Sequence, residues 1–189
     1  MKLSHEEGRL FFKLYPALMC YASKKLKGVK EIPADFAQYL TVEPERLLKV
    51  RDAIHAHKRL IDDFVKENPA NLALNELVIV ADWKNAVVGS FYIFRYLTNY
   101  TIFLVDRSPP KAYGVIAVAD PFQEIIGQNL PVLTQAVLLP FKGKIINDGL
   151  LFSYPISFGP GIRRRLKETF KRAKENYGII TSLPVKGNQ

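Results

Sequence analysis

The sequence predicts an α+β fold, a helical N-terminal region packed with a mostly antiparallel five-stranded sheet and a basic C-terminal helix. Three observations predict it. Apolar residues recur at three- and four-residue spacings through most of the first 84 positions. After Trp83, β-branched and aromatic residues crowd into runs separated by short turn signals. From Gly159 the helical period returns. Strands joined by short turns pair antiparallel, whereas an α/β fold alternates strands with helices. The change of character sets a helical region at 1–84 against a sheet-plus-helix region at 85–189, with one single domain over 1–189 as the other arrangement.

Ser4 with Glu7 three residues on reads as a capping box that opens the first helix. Leu10, Leu14, Leu18 and Tyr21 form its stripe, and Phe11, Phe12, Tyr15 and Met19 widen it; Pro16 predicts a kink near Phe12. Lys24, Lys25 and Lys27 before Gly28 suit a helix end. A short helix over 33–40 follows. A long one over 43–67 carries Leu47, Val50, Ile54, His57, Ile61 and Phe64 on one face and stops at Asn68-Pro69. Residues 72–84 read as helix or strand, since Leu77 to Val80 fit either period.

Five strands are expected at 87–97, 100–105, 113–119, 132–139 and 144–154, with tight turns at Thr98-Asn99 and Lys142-Gly143. Asp120-Pro121 with Gln123 predicts a short helix ending near Gly127. The last helix runs from Gly159-Pro160-Gly161 to Tyr177 on a stripe of Ile162, Leu166, Phe170, Ala173 and Tyr177.

The 189 residues carry a formal charge of +9, which is unevenly placed. Residues 1–72 are net +3, residues 73–159 neutral, and residues 160–189, with eight basic and two acidic side chains, net +6. Arg163, Lys167, Lys171 and Lys174 fall on one helical stripe, which Arg164, Arg165 and Arg172 widen. Such a face suits phosphate backbones, and it also serves as an ordinary solvated surface. Arg163, Arg164 and Arg165 stand at the start of the helix, where cations oppose the dipole at roughly 0.3–1 kcal/mol each; a bound phosphate would relieve that conflict.

Catalytic chemistry is absent from the pattern. The sequence contains no nucleophile elbow, Walker loop, dinucleotide fingerprint or zinc-protease motif. His55 and His57, two apart on a helix, point different ways, and His57 reads as a core residue. One cysteine, Cys20, excludes an internal disulfide or a cysteine cluster and reads as an inert buried thiol. Asp148, before Gly149, is either a buried carboxylate needing a partner or a turn residue. No catalytic residue, cofactor or metal ligand is assigned. The aromatics Phe91, Tyr92, Phe94, Tyr96, Tyr100 and Phe103 either stack bases or pack the sheet.

Leu139-Pro140-Phe141-Lys142-Gly143-Lys144-Ile145-Ile146, Asp148-Gly149, Gly161-Ile162-Arg163 and Gly178-Ile179-Ile180, together with Phe91 to Phe94 and Tyr100 to Leu104, resemble an uncharacterised family of prokaryotic hypothetical proteins. The resemblance implies a prokaryotic, cytoplasmic chain and carries no activity or site residue. Glu6 and Glu7 before the first apolar run argue against a signal peptide, and the run is too short to span a bilayer.

The leading reading is a non-catalytic protein binding nucleic acid or another polyanion through Arg163, Arg164, Arg165, Lys167, Lys171 and Lys174. The alternative is a protein-interaction module or homodimer using the wide apolar face of the first helix. An enzyme ranks third.

Overall fold

The computed structural model describes residues 1–185, which fold as α+β in two compact units. Ser4–Ala86 form one unit; Met1–Leu3 and residues 87–185 form the other.

In the first unit α1 spans His5–Lys25, α2 Phe36–Tyr39, α3 Pro44–Ala56, α4 Arg59–Glu67 and α5 Leu74–Asp82, with a 3₁₀ turn at Trp83–Asn85. The capping box is present: Ser4 Oγ accepts from the Glu7 amide, and the Glu7 carboxylate accepts from the Ser4 amide. Helix α1 continues unbroken through Pro16 and buries Phe11, Leu14, Tyr15, Leu18, Met19 and Tyr21. Phe11 stacks on Tyr15 at 5.0 Å, Phe12 meets Phe36 at 4.5 Å, and Tyr21 meets Phe64 at 5.5 Å. The segment left open between helix and strand is helix α5, which donates the Ala73 amide to Glu76 at 3.0 Å.

The long helix expected over 43–67 is two helices. His57 ends α3 in a non-helical conformation, and the chain restarts at Arg59. From His55 to Arg59 no aliphatic side chain larger than alanine holds a straight helix to the core. Ile54 before the break and Ile61 and Phe64 after it remain buried, while His57 is exposed, contrary to its expected core position.

In the second unit β1 is Val87–Tyr96, β2 Thr101–Val105, β3 Lys111–Ile116, β4 Val132–Phe141, β5 Lys144–Asn147, β6 Phe152–Ser153 and β7 Ile179–Ile180; α6 is Phe122–Ile126 and α7 Pro160–Tyr177. Among the described residues the sheet has seven strands, where five were expected. It is mostly antiparallel as expected, with five antiparallel pairings, and is made mixed by the two parallel pairings of β3 with β5 and β7. β1-β2-β3 form an antiparallel meander, β3 pairs with β5 in parallel, β5 pairs antiparallel with β4, and β4 returns to β1, closing a barrel. The expected fifth strand is interrupted at Asp148-Gly149: Asp148 Oδ1 accepts from the Leu150 amide at 3.1 Å, and Gly149 takes φ +84°. An aspartate bonding the amide two residues on is a turn device, so β6 resumes only at Phe152. Lys142 and Gly143, both at positive φ, make the β4–β5 hairpin turn.

Inside the barrel lie Phe91, Ile93, Phe103, Tyr113, Val115, Ala136, Leu138 and Ile145, with Phe122 of α6 packed among them. On its outer side Ile102, Leu104 and Ala112 meet Leu166 and Ala173 of α7, flanked by Tyr92, Phe94, Tyr100 and Phe170. Gly114 matters here, because a Cβ at that position would stand 2.8 Å from the Tyr100 ring.

Candidate nucleic-acid interface

Helix α7 starts without a side-chain cap, with Gly159 at the cap and Pro160 in the first turn, and ends at Gly178 with φ +67°. Its apolar side is narrower than its stripe predicts. Leu166, Thr169 and Ala173 are buried, whereas Ile162 and Tyr177 protrude at the two ends.

Two polar contacts fasten the helix laterally. Thr169 Oγ1 donates to Asp106 Oδ1 at 3.0 Å, and Arg165 pairs with Asp106 Oδ2 at 2.9 Å. Arg163 reaches back past the helix start, donating Nε to the Phe158 carbonyl at 2.8 Å and Nη1 to the Leu130 carbonyl at 2.7 Å. These carbonyls offset part of the unfavourable placement of a cation in a helix N-terminal region. Arg163 and Arg165 are thus held by separate partners. Arg164 is exposed and has no ion pair among the described residues.

The remaining basic residues lie further along the helix. Lys167, Lys171, Arg172 and Lys174 are exposed. Lys171 makes a long i,i+4 pair with Glu175 at 3.8 Å; Lys167, Arg172 and Lys174 have no ion pair among the described residues. Helix α7 as a whole carries seven cations and two carboxylates.

Sequence reading missed Asp106, which lies in a loop and gives no pattern, and Arg95, whose guanidinium sits 5.6 Å from the Phe94 ring and 5.7 Å from Phe170. An arginine inside an otherwise aromatic strand was the available signal for Arg95. The aromatics of the first hairpin divide by strand parity: Phe91 and Phe103 face the barrel interior, Tyr92 and Phe94 lie under α7.

Cys20 is buried and donates its thiol toward Glu31, and burial raises its pKa, which favours the protonated thiol. The wide face of α1, offered above as an interaction surface, is covered within its own unit. Among the described residues no cluster of His, Cys, Asp and Glu could hold a metal, and no helix is long and apolar enough to cross a membrane. No family model, curated protein or solved structure matches the chain.

Proposed function

We propose that the second unit is a non-catalytic module that binds nucleic acid through the solvent side of α7. The observation that carries this reading is the asymmetry of the helix. One side is fixed to the barrel by Leu166, Thr169 and Ala173, and the other presents Arg164, Lys167, Lys171, Arg172 and Lys174 with only Glu168 and Glu175 to neutralise them. Cations on a fixed helix engage successive phosphates without first losing the freedom of a flexible tail.

The barrel supports the reading by analogy of connectivity alone. Five strands closing in the order β1-β2-β3-β5-β4, with a helix between β3 and β4, follow the plan of the small Greek-key barrels that take oligonucleotides or oligosaccharides on the outer face of β2 and β3. In this chain α7 covers that face, so the basic surface is displaced outward onto the helix. Arg163 and Arg165 fasten the start of α7, while Arg164, Lys167, Lys171 and Lys174 contact phosphates.

Fluorescence anisotropy with labelled single-stranded and duplex DNA and RNA of mixed sequence tests this. Binding at low salt with little sequence preference is expected, and replacing Arg164, Lys167, Lys171 and Lys174 together with Gln abolishes it. Absence of binding at low salt, or unchanged binding by the quadruple variant, rejects the reading.

A further inference from the structure

The barrel is incompletely paired at one corner. β1 pairs with β4 from Val87 to Ile93, but with β2 only from Tyr92 onward. From Val87 to Phe91, therefore, no strand pairs with the β2 side of β1 among the described residues. β2 and β3 stay paired out to Val105 and Lys111 and then turn through Asp106–Pro110. The gap between β1 and this hairpin holds a cavity of about 260 Å³.

The charged and hydroxyl groups that line it are Ser90, Arg107, Lys111 and Tyr113, with no carboxylate among them. Asp106, next in sequence, is already engaged by Thr169 and Arg165. Arg107 has no ion pair among the described residues, and the Lys111 ammonium meets only the Tyr177 ring, at 5.7 Å. Tyr113 is 3% exposed, and its hydroxyl has no hydrogen-bond partner among the described residues. Burial raises its pKa, which keeps the phenol a donor. The ring is buried in the barrel while the hydroxyl borders the cavity, where a ligand can reach it. The edge of β1 over Val87 to Phe91 adds backbone amides that β2 does not engage.

The site is therefore rich in donors and positive charge and poor in acceptors, beside an apolar wall of Val87, Val105 and Pro109. We propose that this barrel mouth binds a small phosphomonoester, with the phosphate between Arg107, Lys111 and the Tyr113 hydroxyl and the organic substituent against Val87 and Val105. A phosphate dianion matches two cations and offers three terminal oxygens to several donors; a carboxylate, singly charged with two oxygens, leaves one cation uncompensated. The space exceeds what a bare phosphate fills, which is the reason for the organic substituent.

Phenyl phosphate is the probe, titrated into the full chain and followed by calorimetry and by amide chemical shifts in NMR. Shifts at Ser90, Lys111 and Tyr113 are expected. Arg107→Gln with Lys111→Gln weakens binding by about tenfold or more, and Tyr113→Phe, which keeps the ring packing, by about fivefold. Lys167→Gln with Lys171→Gln on α7 leaves the affinity unchanged, which separates this site from the nucleic-acid face. No binding at millimolar phenyl phosphate, benzoate binding as tightly, or equal affinity in the Arg107/Lys111 variant overturns the proposal.

Discussion

Thr169, on the buried side of α7, donates its hydroxyl to Asp106 across 3.0 Å, and the second oxygen of the same carboxylate holds Arg165 at 2.9 Å. One loop carboxylate therefore ties a buried hydroxyl and a half-exposed guanidinium to the end of β2. The two contacts differ in weight. Thr169 is 1% exposed, so losing its acceptor strands a desolvated hydroxyl, while Arg165 can return to water. Asp106→Ala is expected to destabilise the protein by about 2 kcal/mol and Arg165→Gln by less than about 1 kcal/mol. Urea unfolding of both variants checks the order; equal losses would place the weight on the ion pair.

His55, near the end of α3, has both ring nitrogens shut off from solvent and without hydrogen-bond partners among the described residues. Burial, with Arg51 and Lys58 adding repulsion and Asp52 partly opposing, lowers its pKa from 6.5 to about 4. The imidazole is therefore neutral when folded, and below pH 6.5 the unfolded chain takes up a proton that the folded chain refuses until about pH 4. Stability contributed by the neutral ring is complete above pH 6.5 and is lost as pH falls toward 4, by about 2 kcal/mol between pH 7 and pH 5. His55→Leu is expected to flatten that part of the stability–pH curve in urea unfolding at a series of pH values; an unchanged curve assigns the titration elsewhere.

Gly114 of β3 lies under Tyr100, where an added Cβ would approach ring carbons at 2.8 and 2.9 Å. Gly114→Ala is expected to cost about 2 kcal/mol, since the ring must shift within a packed layer beneath α7. Tyr100→Ala carries its own loss but makes room, so the double variant is less destabilised than the sum of the two singles. Thermal unfolding of the four-member cycle measures this coupling, and simple additivity would rule out the steric account.

What the sequence made legible was local. The capping box at Ser4, the turn at Lys142-Gly143 and the end of α7 at Gly178 each rest on residues within one turn of each other, and each is present. The parallel pairing of Val115 with Ile145 and the return of β4 to β1 join residues tens of positions apart, and no spacing in the sequence encodes them. His57 misled because it kept the helical period while the neighbouring residues lacked the bulk to hold that period against the core. The basic side of α7 was readable because its charges recur on one helix. Asp106 was not, since a lone loop carboxylate becomes a clamp only once β2 and α7 are side by side.

The reading of α7 as a fixed basic face makes a claim about rigidity as well as charge. Each phosphate contact releases a condensed counterion, steepening the fall of log affinity with log salt by about 0.7 for a single strand and about 0.9 for a duplex. Lys167→Gln, Lys171→Gln and Lys174→Gln together should therefore reduce the salt slope by roughly 2 to 3, with base preference unchanged. Unfolding stability should stay nearly constant, because exposed charges contribute little to it. Leu166→Ala is the complementary change: it keeps every charge but removes a wholly buried anchor, at about 3 kcal/mol. If a rigid face is what binds, affinity falls in Leu166→Ala while the salt slope of the remaining binding is preserved, because the same cations are still available. Full affinity in Leu166→Ala, measured by anisotropy at a temperature where the variant remains folded by circular dichroism, would show that charge alone suffices and that the docking of α7 on the barrel has no part in binding.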